Sequence, residues 1–152
     1  MTYFLAQLNI AHMIAPLDDP IMRDFVDNLD RINAIADRAP GFIWRLQDES
    51  GNASAIRTFG DDMIVNMSVW KSVEGLRNYA FQTTRVEIMR RRKEWFVKME
   101  EEHAALWWVQ NGHIPSPDEA SEKLQLLRSK GPCAEAFTFA NPFPKPKSET
   151  TG

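Results

Sequence analysis

A single cysteine, Cys133, stands in the 152 residues, so no internal disulfide can form and the chain suits a reducing cytoplasm. No apolar run approaches the roughly 20 residues that a membrane span needs. Met1 to Ile10 lacks the basic region and cleavage site of a signal peptide. A long basic run is missing too, and with a formal net charge of -3 nucleic acid is not expected as a partner. Arg90-Arg91-Arg92 is the densest cationic stretch, but helical spacing divides it among faces, and Glu87 and Glu94 stand close by. There is no HExxH, no CxxC, no Gly-rich phosphate loop and no GxSxG elbow. His12, His103 and His113 are scattered. Neither a metal site nor a cofactor is expected from this pattern.

What is present is an ordinary globular balance, 43% hydrophobic and 26% charged residues, enough for one domain to bury a core without staples. Tyr3 to Ile10 alternates as a strand does: Phe4, Ala6, Leu8 and Ile10 face one way, Tyr3, Leu5, Gln7 and Asn9 the other. Asp19 before Pro20 starts a helix that runs to about Ala39. Its apolar face carries Met22, Phe25, Val26, Leu29, Ile32 and Ala36, with Asn33 among them, and Pro40-Gly41 stops it. Phe42 to Gln47 and Met63 to Trp70 are the next two strands; Ala53 to Asp62 fits either a longer hairpin or a loop. Ser72 caps a short helix. Ser116-Pro117-Asp118-Glu119 is a capping box that opens another, buried at Ala120, Leu124 and Leu127 and ended by Gly131-Pro132. Ala136 to Phe139 reads as a last short strand. Residues 1–140 are thus assigned to one domain, and residues 141–152, rich in Pro, Lys, Ser and Thr, to a mobile tail.

The rest is organised around Thr84 to Val109. Thr84-Arg85-Val86-Glu87 matches a capping box. The spacing predicts a helix from there, with Ile88, Met89, Trp95, Phe96 and Met99 within roughly 60° of Arg92. Arg85 and Arg92 point with that apolar stripe. Ala104 to Val109 follows as a strand, Trp107 and Trp108 on opposite faces. The order β-α-β-β-α-β, with a further helix and strand, is the ferredoxin-like arrangement, an α+β fold with helices on one face of an antiparallel sheet. Both faces of the strands are apolar. Pairing of two identical sheets would cover the second face, so a homodimer in the form of a dimeric α/β barrel is expected.

Several stretches carry a resemblance: Ala6-Gln7-Leu8-Asn9, Pro40-Gly41-Phe42-Ile43-Trp44-Arg45-Leu46, Asn66-Met67-Ser68-Val69-Trp70, Arg92-Lys93-Glu94-Trp95-Phe96, Leu106-Trp107-Trp108-Val109, Gly112-His113-Ile114-Pro115 and Gly131-Pro132-Cys133-Ala134-Glu135-Ala136-Phe137. Together they resemble a bacterial family of domains of unknown function in the dimeric α/β-barrel superfamily, the group that contains antibiotic-biosynthesis-type monooxygenases. The likeness spans about Tyr3 to Phe139. It implies the ferredoxin-like fold and a barrel-forming homodimer, but no one reaction. The superfamily holds cofactor-free oxygenases, haem-degrading and haem-peroxidase enzymes, and non-enzymatic ligand-binding modules. The family usually has a histidine where this chain has Arg85, so the resemblance by itself implies no base or metal-ligand role at this position, and whether Arg85 takes over that histidine's role stays open.

The candidate site residues are polar groups at interior-looking positions and the aromatics near them. Arg92, His113 and Asn66 are the candidate catalytic groups: Arg92 for an anionic group or a developing enolate, Asn66 and His113 to orient it or move a proton. Arg85, Asn33, Asn9, Ser68, Trp70, Trp95 and Trp108 are the candidate ligand-binding groups, Arg85 acting with the free N–H groups of a helix start. Each also has a plainer role. The arginines can pair with a carboxylate or turn to solvent, the amides and Ser68 can bond one another, and the tryptophans can pack the core. The leading expectation is a cytoplasmic homodimer with a pocket between the sheet and the long helix for an anionic or aromatic small molecule. It would be a cofactor-independent oxygenase or isomerase acting on an aromatic or polyketide-like acid. The alternative is a non-catalytic ligand-binding or dimerisation module. A haem protein with His103 or His113 as axial ligand comes third.

Overall fold

β1 (Tyr3–Met13) is the central strand of one antiparallel sheet in the computed structural model, which describes residues 2–47, 59–81, 87 and 90–146. On one side β1 pairs with β3 (Met63–Trp70), which pairs in turn with β2 (Phe42–Arg45). On the other it takes β5 (Ala104–Gln110) and, at its far end, β4 (Phe96–Val97). With α1 (Arg23–Arg38) between β1 and β2 and α2 (Val73–Ala80) after β3, this is the ferredoxin-like α+β arrangement expected from the sequence. Among the described residues no helix is long and apolar enough to cross a membrane.

Local chemistry places both helices. Asp19 Oδ1 accepts the N–H of Ile21 at 3.0 Å, and Pro20 opens a 3-10 turn, Pro20–Met22, that leads into α1. Ser72 Oγ accepts the N–H of Gly75 at 3.1 Å at the start of α2. Gly41 adopts φ +85° to turn from α1 into β2. Gly75 lets α2 settle onto that turn, since a Cβ there would lie 3.2 Å from the Pro40 carbonyl oxygen. Leu5, Trp70 and Leu106 of the sheet then pack with Ala36 of α1, with Leu76 and Tyr79 of α2, and with Phe137.

The opposite sheet face is not bare. α3 (Pro117–Lys130) lays Ala120, Leu124 and Leu127 on Ala6, Leu8, Val65, Met67, Ala105 and Trp107. Leu8 and Ala105 have no exposed surface within this single chain. The expected bare face fails because α3, whose apolar stripe is legible in the sequence, folds back over the sheet rather than hanging beside it. A second chain is therefore not required to cover that face.

The long helix is also shorter than its apolar spacing suggests. Glu87 and Arg90 are helical, but Arg92–Glu94 form a 3-10 turn and β4 follows, pairing Phe96 with Met13 and Val97 with His12. β1 runs three residues beyond Ile10, and its end offers backbone groups that a strand satisfies. Trp95 drops into a cluster with Met13, Met22 and Phe25, while Met99 goes to the cluster under α3. The apolar spacing is used, but by a turn and a strand. Arg92 is left exposed. Its neighbour Arg91 is the engaged cation, 2.8 Å from both Asp24 and Glu94 and 4.9 Å over the Trp95 ring.

The hydrogen bond from Arg91 holds the Glu94 carboxyl below its ordinary range. A depressed folded value means that Glu94 adds stability above the ordinary carboxylate range and loses it as pH falls through the folded value. Exposed pairs contribute little. Glu94→Gln should therefore melt slightly below wild type at neutral pH and level with it in strong acid; a gap that widens in acid would contradict this origin.

The C-terminal part differs from expectation as well. The short strand at Ala136 to Phe139 is reduced to two isolated bridges, Leu106 with Phe137 and Cys133 with Ala136. Phe143, assigned to the mobile tail, is half-buried: its ring lies 6.0 Å from that of Phe137, and its carbonyl accepts Trp108 Nε1–H at 3.0 Å. Residues 147–152 of that tail, and residues 53–58 of the segment left open between hairpin and loop, lie outside the described residues. Removing residues 141–152 should cost about 2 kcal/mol, for one half-buried phenylalanine and one hydrogen bond. A urea midpoint equal to that of the full chain would show that Phe143 adds nothing.

Candidate ligand-binding site

Strand register builds a polar row into an apolar sheet. β1 and β3 set Asn9 opposite Asn66, Gln7 opposite Ser68 and Leu5 opposite Trp70, on the face that carries α1 and α2. On the β5 side the same three positions meet Ala104, Leu106 and Trp108. Buried polar groups need partners, and here they use one another. Gln7 Nε2 donates to Ser68 Oγ at 2.8 Å and to Asn66 Oδ1 at 2.6 Å. Trp70 Nε1 donates to Ser68 Oγ at 2.7 Å. Trp70 itself is fully buried, stacked on Tyr79 at 5.1 Å and met edge-on by Phe42 at 5.5 Å.

Over the outer end of this row lies a cavity of about 280 Å³. Gln7, Asn9 and Asn66 give its floor a polar strip, beside Ala104 and Leu106. Leu76, Tyr79 and Ala80 of α2 wall one side, and Thr138, Phe139 and Ala140 also line it. Glu102 lines it too, and among the described lining residues there is no Lys or Arg. Arg77 of α2 reaches the Phe139 ring from outside that lining, 6.0 Å to its centre. The volume sits just below the range of about 300–1,000 Å³ usual for small-molecule sites, which suits a ligand of one or two rings. Such a floor can bind and orient an oxygen, while Tyr79 and Glu102 are the titratable groups among its described lining.

Of the residues singled out from the sequence, Asn9, Asn66, Ser68 and Trp70 are brought together here. The others are not. Asn33 is half-buried on α1, and Arg92 sits exposed on its 3-10 turn, both outside the cavity lining. Arg85 lies outside the described residues. His113 stands beyond β5 against Glu119 of α3, whose other carboxylate oxygen accepts Trp107 Nε1–H at 2.9 Å. Trp107 belongs to the face under α3, so this pair is across the sheet from the cavity. Trp95 is core, and Trp108 lies beneath Phe143. His103, considered as a haem ligand, has its Nδ1 buried without a hydrogen-bond partner. Among the described residues no group of three His, Cys, Asp or Glu is placed to hold a metal.

Gln7, Leu76, Tyr79, Glu102, Leu106 and Phe139 are not among the sequence-based candidates. Gln7 carries a usable signal, since strand alternation puts it on the face of Asn9. Phe139 carries none, because nothing local marks where the chain beyond the Phe137 bridge comes to rest.

A family described as a domain of unknown function (DUF3291) matches residues 4–151. None of the curated proteins matches the chain. Among solved structures, the chain is similar to SnoaB from Streptomyces nogalater, described as a cofactor-independent oxygenase, with 17% identity over 76% of this chain and 100% of that one and a TM-score of 0.47. It is also similar to PA3566 from Pseudomonas aeruginosa, with 10% identity over 74% and 98% of the two chains and a TM-score of 0.49. Rv0793 from Mycobacterium tuberculosis matches with 10% identity over 74% and 99% and a TM-score of 0.47.

Proposed function

The chain belongs to the DUF3291 family, whose description names no activity, and from the geometry of its own site we propose that it binds a small, flat, oxygen-bearing molecule between the sheet and α2. The observation that carries this reading is the strip of Gln7, Asn9 and Asn66 at the floor of a hollow whose walls include Leu76, Tyr79, Leu106 and Phe139, with Glu102 and Thr138 also in the lining. Apolar walls favour an aromatic body, and the Asn66 amide, whose oxygen is taken by Gln7, offers its N–H groups to an oxygen at the polar end. An oxygen that gains negative charge, as when a ketone becomes its enolate, is held more tightly by amide N–H groups than the neutral carbonyl is. That difference is what lowers a barrier. The reaction classes it supports are isomerisation, or cofactor-independent oxygenation, of an enolisable aromatic compound.

No Lys or Arg stands among the described lining residues to hold the carboxylate expected from Arg85 and Arg92. Glu102 is the charged residue among the described lining, so a neutral ketone or phenol suits the hollow better than an acid. The test is a thermal-shift titration of wild type and Asn66→Leu with 1-indanone and 1-naphthoate. Asn66 is exposed, so the variant should fold. Indanone should raise the wild-type melting temperature, fail to do so in the variant, and outperform naphthoate in the wild type. Equal shifts in both proteins would remove Asn66 from the site.

A further inference from the structure

Trp70, Ser68, Gln7 and Asn66 form one chain of hydrogen bonds whose direction has a chemical consequence. An indole N–H can only donate. Ser68 Oγ accepts it at 2.7 Å and accepts Gln7 Nε2 at 2.8 Å, which fills both of its lone pairs. Gln7 Nε2 has two hydrogens, and the second goes to Asn66 Oδ1 at 2.6 Å. The oxygen of Asn66 is thereby occupied, and its Nδ2 with two hydrogens is the end left for the cavity that Asn66 lines. We infer that Gln7 is the specificity-determining residue at the Asn66 end of this site: by holding the Asn66 amide one way round, it makes that position take a ligand through a hydrogen-bond acceptor. The inference rests on the binding reading above and adds the polarity of the ligand atom.

Gln7 suits this task because it is fixed at both ends. Its backbone lies in the central strand, paired on both sides, opposite Ser68 and Leu106. Its side chain is buried, and its amide nitrogen is shared between two oxygens. Trp70, its indole clamped between Tyr79 and Phe42, takes one lone pair of the Ser68 hydroxyl and holds that side chain in place beside Gln7. Asn66, by contrast, is exposed and would turn freely without Gln7. A carboxylate at position 7 would reverse the relay. With no hydrogens to give, it would accept from the Ser68 hydroxyl and from Asn66 Nδ2, leaving Asn66 Oδ1 toward the cavity.

The probes are two bicyclic compounds of matched shape, 1-indanone as the acceptor and indole as the donor, titrated calorimetrically into the full chain. Wild type should prefer indanone by about tenfold, the scale of one net hydrogen bond. Gln7→Glu should invert the order. Gln7→Met, which keeps the length without the polarity, should bring the two affinities within about twofold and covers the case in which the glutamate variant fails to fold. A merely structural Gln7 would weaken both probes together and leave their ratio unchanged. If wild type and Gln7→Met bind indanone over indole by the same ratio while Asn66→Leu loses indanone, the relay is overturned and the binding site stands. If wild type takes neither probe, the site and the relay fail together.

Discussion

Trp70→Ala should be among the most damaging single changes in this chain, a loss of about 3 to 5 kcal/mol, seen as a fall of roughly 6 to 20 °C in the melting temperature for a domain this size. The side chain has no exposed surface, stacks on Tyr79, meets Phe42 edge-on and donates to Ser68. Truncation removes all three at once and leaves a void that strand backbone cannot close, which is why the cavity adds to the transfer cost. Trp70→Phe separates the parts. It keeps much of the packing but removes the N–H, at about 1 to 2 kcal/mol, and frees a lone pair on Ser68 next to Gln7. The alanine variant thus reports on the fold and the phenylalanine variant on the polar relay. A loss under about 1 kcal/mol for Trp70→Ala, by urea denaturation, would mean that the Trp70–Tyr79 stack does not hold α2 to the sheet.

How much of this is legible in the sequence follows from how local each signal is. β3 is readable from Met63 to Trp70, because alternation over eight residues leaves little else. The caps at Ser72 and Ser116 are readable because a cap is defined within four residues. The same alternation puts Asn9, Asn66, Ser68 and Trp70 on marked faces, so much of the polar row is written in the residue order itself. Which strand end recruits which segment is not written there. The spacing of Ile88, Met89, Trp95, Phe96 and Met99 fits a helix; only the pairing of His12 with Val97, residues far apart in sequence, shows why the chain turns to strand instead. With the turn in place of the helix, the cation paired with Asp24 and Glu94 is Arg91, while Arg92 is exposed. Phe139 and Phe143 sit where tertiary contacts put them, with no periodicity to announce them. The hydrophobic pattern marks the stripe of α3 correctly yet gives no direction for it, and direction decides whether the sheet needs a partner.

The second large effect is expected at that helix. Leu124 is 1% exposed, and α3 presents it with Ala120 and Leu127 to the core of the sheet. Leu124→Ala should cost about 2 to 5 kcal/mol, toward the upper end because Met67 and Trp107 beneath it are held by strand pairing and cannot follow the missing atoms inward. The measurement is urea unfolding of wild type and variant at two protein concentrations a hundredfold apart. If α3 of the same chain closes the sheet, the variant loses the same amount at both, and the loss is visible in dilute solution where no partner is bound. If a second chain covers the sheet instead, with α3 lying elsewhere, two results should appear together. The wild-type midpoint should rise with concentration by mass action, and Leu124→Ala should cost less than about 1 kcal/mol. A rising midpoint alone would leave α3 in place and put any partner on another surface, so the size of the Leu124 loss decides what covers this face.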